Sequence, residues 1–188
     1  MQKNINGLLH LSTLSGCANL VAISLAGCTD LPKGIQPVDD FKINHYLGTW
    51  YEIARLDHAF ESDLDSVTAD YTFRKDGGID VINRGRSTRD NQWKEAEGKA
   101  YFVGDNKKGH LKVSLFWPFY SAYVIFKLDR ERYKYAYISG YNREYLWLLV
   151  RSPRISKEVI GDFMTVSESF EFNTKDIIMV EHDLPIGH

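Results

Sequence analysis

Between residues 49 and 151 the chain is a series of short segments in which apolar and polar residues alternate, separated by turns of hairpin length. A period of two marks a strand with one buried face and one wet face. The plainest case is 67–74, where Val67, Ala69, Tyr71 and Phe73 alternate with Thr68, Asp70, Thr72 and Arg74. Asp76-Gly77-Gly78 then reads as a tight turn with glycine supplying positive φ, and 79–86 answers as the partner strand. The same reading places strands at 49–57, 93–103, 110–116, 122–128, 135–140 and 145–151. Eight strands in series leave two bare edges unless the sheet curls onto itself. The expectation is therefore all-β: an eight-stranded up-and-down antiparallel β-barrel. Eleven Tyr and ten Phe suit such strands.

The period changes on either side of the barrel. A short helical plug is expected over 40–47, with Phe41 and Tyr46 or Leu47 turned to the barrel base. After the eighth strand, Val159, Phe163, Val166 and Phe170 recur at spacings of three and four, which predicts a C-terminal α-helix over 156–170 capped by Ser156. A short final strand follows at 176–181. One domain, 40–182, holds these elements, and 183–188 is a tail.

The first 27 residues have a different character. A polar start with Lys3 leads into an apolar run that ends Leu25-Ala26-Gly27-Cys28, the pattern of a secretory signal. Leu-Ala-Gly-Cys is similar to the bacterial lipobox, and what that resemblance implies is a lipoprotein signal peptide at 1–27 and lipidation at Cys28. Leu14-Ser15-Gly16-Cys17 also fits a lipobox, but its apolar run is short and broken by His10. Residues 28–39, rich in Pro and Gly, read as a lipid-anchored tether. Three acyl chains on Cys28 exceed the two signals that stable anchoring needs. Thr29 after the cysteine resembles lipoproteins sorted to the outer membrane, so the expected place is that membrane, facing the periplasm.

Several functions are excluded. Net charge is −2 with basic residues scattered, so no footprint for nucleic acid exists. No cysteine follows Cys28, which removes an internal disulfide, a thiolate nucleophile and a Cys-based metal site from the barrel. Gly-x-Ser-x-Gly, phosphate-loop and His-Glu-x-x-His patterns are absent. The six His stand apart at 10, 45, 58, 110, 182 and 188; His58, at the mouth, is the one to test for haem or metal. No catalytic residue and no cofactor are expected.

Gly48-Thr49-Trp50-Tyr51-Glu52-Ile53-Ala54-Arg55, a Gly-x-Trp opening a strand after a helical turn, resembles the first signature of the lipocalins. Tyr145-Leu146-Trp147-Leu148-Leu149-Val150-Arg151-Ser152-Pro153, Glu95 through Phe102, and Pro118-Phe119-Tyr120 are similar to the bacterial branch of that family, which is kin to apolipoprotein D. Asp129-Arg130 is a fainter match to the middle signature. The resemblance spans about 28–182. It implies a calyx with Gly48 and Trp50 at the closed end, Arg151 stacked on Trp50, and a small apolar ligand inside.

Strands alternate in direction, so 58–65, 87–92, 117–120 and 141–144 gather at the open mouth. Strict alternation in the first strand puts Trp50, Glu52, Ala54 and Leu56 on one face and Tyr51, Ile53 and Arg55 on the other. The expected ligand-binding residues are Ala54 and Leu56 from the first strand, and Val67, Ala69, Tyr71 and Phe73 from the second. Ala96, Ala100 and Phe102 join them from the fourth strand, where small residues leave space, together with Val113; Trp117, Phe119 and Tyr120 form the rim. Glu52 on an apolar face requires an Arg partner or water. The expectation is a binding protein for fatty acid or lysophospholipid, holding one or two acyl chains for storage, transfer or envelope maintenance. A planar hydrophobe such as a tetrapyrrole or carotenoid, and a filled barrel acting as an envelope interaction protein, are the other readings. A homodimer is left open.

Overall fold

The alternating segments form the strands that they predict. In the computed structural model, which describes residues 29–59, 61–116 and 118–182, the order is α1 Ile43–Tyr46, β1 Gly48–Leu56, β2 Leu64–Phe73, β3 Ile79–Ser87, β4 Trp93–Phe102 and β5 His110–Phe116. Then come β6 Phe119–Leu128, β7 Tyr135–Ser139, β8 Leu146–Val150, α2 Lys157–Ser169 and β9 Ile177–Met179. Each strand from β1 to β8 pairs antiparallel with the next, and β8 pairs with β1, which closes the ring. This is the eight-stranded barrel with a C-terminal helix and a last short strand.

The seam between β1 and β2 is composite. The two strands pair only from Gly48↔Tyr71 to Tyr51↔Thr68. Above that point β1 pairs with β9, from Ala54↔Met179 to Leu56↔Ile177. Val180 N donates to Ile53 O at 2.9 Å and Ser66 N donates to Glu181 O at 2.7 Å, so the tail of the domain fills the gap.

Apolar residues separate into an inner and an outer group. The inner one fills the lower barrel with Phe41, Tyr46, Trp50, Ile79, Leu111, Ile125 and Ile138. The outer one, Val124, Tyr137, Leu146, Leu148 and Val150 among others, lies beneath α2. Phe163, fully buried, meets Tyr137 edge to face with ring centroids 5.0 Å apart. Val159, Val166 and Phe170 complete the predicted stripe. Burial of a Phe side chain contributes about 1.5–3 kcal/mol, so the helix is held by its face. Ser156 precedes the helix but its side chain makes no capping bond.

The closed end is tied by one arginine. Arg151 lies over the Trp50 ring at 4.0 Å. Its Nη1 donates to Thr49 O and its Nη2 to His45 O and Leu47 O, each at 2.8 Å. Trp50 Nε1 donates to Tyr46 O at 2.7 Å. The carbonyls of His45, Tyr46 and Leu47, which the end of a short helix leaves unpaired, are thereby satisfied. Gly48 links helix to strand at φ +90, a conformation that side chains disfavour.

Residues 29–39 are not the free tether that their Pro and Gly content suggests. Pro32, Ile35 and Val38 are buried against the barrel. Val38 N donates to Ile125 O and Gly109 N to Val38 O, both at 2.8 Å, while Arg143 Nη2 donates to Lys33 O at 2.7 Å. At the segment's start, Thr29 O is bonded to His110 Nε2 at 3.0 Å. Apolar residues spaced along a proline-rich strip give it a sticky side, and proline has no N–H to leave unpaired. Among the described residues, no helix is long and apolar enough to cross a membrane. Cys17 and Cys28, and the expected signal peptide with them, lie outside the described residues.

Candidate functional site

Above the packed floor the barrel holds a cavity of about 360 Å³ that opens at the mouth. Its walls are mostly apolar: Val67, Ala69, Val81, Val113, Leu115, Trp147 and Leu149, with Phe116 and Phe119 at the top. Tyr71 and Tyr123 line its lower part, with Tyr46 bonded beneath them. Tyr123 OH is 2.7 Å from Tyr46 OH and 2.9 Å from Tyr71 OH, so each hydroxyl finds its partner in another. Burial, above all, pushes all three phenols above their ordinary range and keeps them neutral.

One side wall is charged, because β1 does not alternate strictly. Against β8 it runs Glu52↔Leu149 and then Ala54↔Leu148, leaving Ile53 as an extra residue. A bulge of this kind reverses the parity of everything after it. Arg55 thereby turns inward, opposite Trp147. Its Nη1 donates to Glu52 Oε1 at 2.8 Å, and its Nη2 to Glu61 O at 2.6 Å and Leu64 O at 3.2 Å. Glu61, from the β1–β2 loop, accepts from Trp147 Nε1 at 3.2 Å and lies 3.6 Å from His58 Nδ1. Glu52 thus has its arginine partner, 1% exposed, on the cavity side.

The three ionisable neighbours are displaced as burial requires. Glu52 stands well above the usual carboxylate range, through burial and then the Glu61 charge, against the pull of Arg55. Burial also raises Glu61. His58 is lowered to about 4, by burial and then by Arg55. Its ring packs beside Tyr145 and Trp147, at 5.4 and 5.1 Å. Among the described residues no group of three or more His, Cys, Asp or Glu could hold a metal.

Of the residues expected inside, Val67, Ala69, Tyr71, Val113, Phe119 and Tyr120 border the cavity. Ala54 and Leu56 do not: the bulge turns them outward into the group beneath α2. Phe73 extends past Gly48, where β1 begins opposite Tyr71, and is 50% exposed. Ala100 and Phe102 belong to the floor, the Phe102 ring 6.2 Å from Phe41. Ala96 borders a separate recess with Leu64, Lys94 and Leu115. Small residues in β4 serve close approach rather than open space, since a Cβ at Gly98 would lie 2.6 Å from Ser114 O. Trp117 lies outside the described residues.

Sequence reasoning missed, among others, Tyr123, Trp147, Leu149 and Glu61. Alternation could have found the first three: Ala122, Val124 and Phe126 face out, as do Leu146, Leu148 and Val150. Nothing in the loop sequence marks Glu61. The mouth also extends sideways. The β4–β5 ladder runs only from Phe102↔Leu111 to Lys99↔Ser114, so residues 93–98 have no β5 partner.

Comparison with known proteins places this geometry. The profile of the Lipocalin-like domain matches residues 41–182. The outer membrane lipoprotein Blc of Vibrio cholerae is 52% identical over 162 residues, 86% of this chain and 95% of that protein. Bovine apolipoprotein D is 30% identical over 156 residues, 80% and 79% of the two chains. The structure of insecticyanin from the tobacco hornworm Manduca sexta superposes with a TM-score of 0.64 at 19% identity, covering 82% of this chain and 87% of that one; the likeness there is one of fold. The chain belongs to the lipocalin family, with the bacterial lipoproteins called Blc among its relatives.

Proposed function

We propose that the protein is an outer-membrane lipoprotein, anchored through acylated Cys28, that carries a single-chain amphiphile in its barrel. The observation that carries this reading is the apolar cavity with one charged wall near its mouth. Its volume is at the lower end of the about 300–1,000 Å³ usual for small-ligand pockets, which fits one acyl chain better than two and leaves little room for a planar tetrapyrrole. The cavity is open rather than filled by its aromatics, which takes away the support for a filled interaction barrel. The relatives named outer membrane lipoprotein support the anchoring and the location.

The wall also discriminates between heads. Two carboxylates face one guanidinium whose Nη1 and Nη2 already meet Glu52, Glu61 O and Leu64 O, and whose buried Nε does not border the cavity. A fatty-acid carboxylate finds no free cation there. A head with hydroxyl or ammonium donors finds acceptors, which favours lysophospholipid over free fatty acid. Each buried methylene contributes about 0.8 kcal/mol, so affinity should rise three- to fourfold per carbon until the chain reaches the tyrosine floor.

Native mass spectrometry of protein taken from bacterial membranes, followed by titration with lysophosphatidylethanolamine and palmitate, tests this. The expected result is a bound monoacyl lipid, with uptake reduced at least tenfold in Val113→Trp. A wild-type protein that carries nothing and takes up neither lipid would end the reading.

A further inference from the structure

The anchor and the mouth lie at opposite ends of the barrel. The closed end is marked by α1 and by the turns that it touches: Phe41 N donates to Lys107 O in the β4–β5 turn, and Lys42 N to Tyr133 OH in the β6–β7 turn. His110, the first residue of β5, belongs to that end and holds Thr29 O. Thr29 directly follows Cys28 in the sequence. Residues 29–39 are bound along the barrel and offer no slack. Acyl chains on Cys28 therefore leave the molecule at its closed end. Phe73, half exposed there, lies on the anchored side.

The mouth presents a different surface. Trp93 at the tip of the β3–β4 hairpin is 64% exposed; Phe116 and Phe119, paired across the β5–β6 hairpin, are 71% and 66% exposed. Phe116 is six residues up β5 from His110, about 20 Å along the strand. Both Phe residues also border the cavity, so on their side, away from the charged wall, the apolar lining reaches the rim. A Trp exposed at one hairpin tip, and two exposed Phe beside an apolar cavity at another, match the headgroup and acyl boundary of a bilayer, where such residues insert. A water-facing rim of this kind would instead force an acyl chain through water at each exchange.

We infer that the mouth docks on a phospholipid surface other than the membrane that holds the anchor, so that the protein exchanges its ligand with a second bilayer. The inference rests on the acylation of Cys28 proposed above.

Full-length lipidated protein is reconstituted into biotin-bearing vesicles of phosphatidylethanolamine and phosphatidylglycerol and captured on streptavidin beads. Fluorescent, protein-free vesicles of the same two lipids are then added. Wild-type protein should retain them, and W93S/F116S/F119S should retain at least fivefold fewer; W93S alone, at a tip away from the cavity lining, should give a partial loss and serves if the triple variant fails to fold. No retention by wild type, or equal retention by the variants, overturns the inference. So does retention that requires protein on both vesicle populations, which would make the rim a contact between two copies. Uptake of lysophosphatidylethanolamine without vesicle retention removes this inference alone; retention without uptake removes the carrier reading alone.

Discussion

Arg55 is the residue on which the upper wall depends. Its removal leaves Glu52 and Glu61 as buried carboxylates without a cation. Arg55→Ala should cost about 3–5 kcal/mol at pH 7.5, as measured by urea unfolding. Both carboxyls sit above their unfolded pKa, so the folded state takes up protons first and acid lessens their penalty; the deficit of the variant should shrink at pH 5.5. His58 works in the opposite sense. Held near 4, below its unfolded value of about 6.5, it favours the folded state fully above pH 6.5, and that contribution is lost as pH falls toward 4. Comparing urea midpoints at pH 7.5 and 5, wild type should therefore lose more than His58→Asn, and an equal loss would remove His58 from the account. The ion pair was legible only as a need. Glu52 on an apolar face demanded a partner, but alternation left open which way Arg55 points, because Ile53 carries no local mark of a bulge. That register is set by β8 and β9, distant in sequence.

Among the elements, what is local was legible and what depends on contact was not. Hairpins such as Asp76-Gly77-Gly78 declare themselves through turn chemistry, and β5 begins and ends where alternation places it. The α2 stripe was equally plain, and Phe163→Ala should cost about 3–5 kcal/mol in urea unfolding while the barrel's ligand site stays formed. The basic pair Arg84 and Arg86 bonds across strands. Arg84 meets Asp70 at 2.6 Å and Glu95 at 2.7 Å, and Arg86 meets Asp65 at 3.0 Å. These pairs are partly exposed, so Arg84→Ala should shift stability by less than about 1 kcal/mol, and less still at 0.5 M salt. The 29–39 segment shows the limit most clearly: its composition describes a linker, but composition does not reveal that Ile35 and Val38 have a barrel to lie on.

At the scale of the whole molecule, a rigid floor and an open mouth divide the work. Arg151, Trp50 and the tyrosine triad fix the lower barrel, while the β4–β5 ladder stops short and the hairpin tips stand free. Arg151→Ala should lower stability by about 2–4 kcal/mol, and Arg151→Lys should recover only a part, since lysine cannot both stack and reach three carbonyls. β9 sets the order in which this shape can arise. The strand that seals the upper β1–β2 seam lies more than a hundred residues beyond β1 and is among the last parts of the domain to leave the ribosome. Until it arrives, β1 has half an edge without a neighbour, and so long-range a closure is intrinsically slow. A nascent chain therefore cannot close its barrel until the whole domain, down to its last strand, has been made.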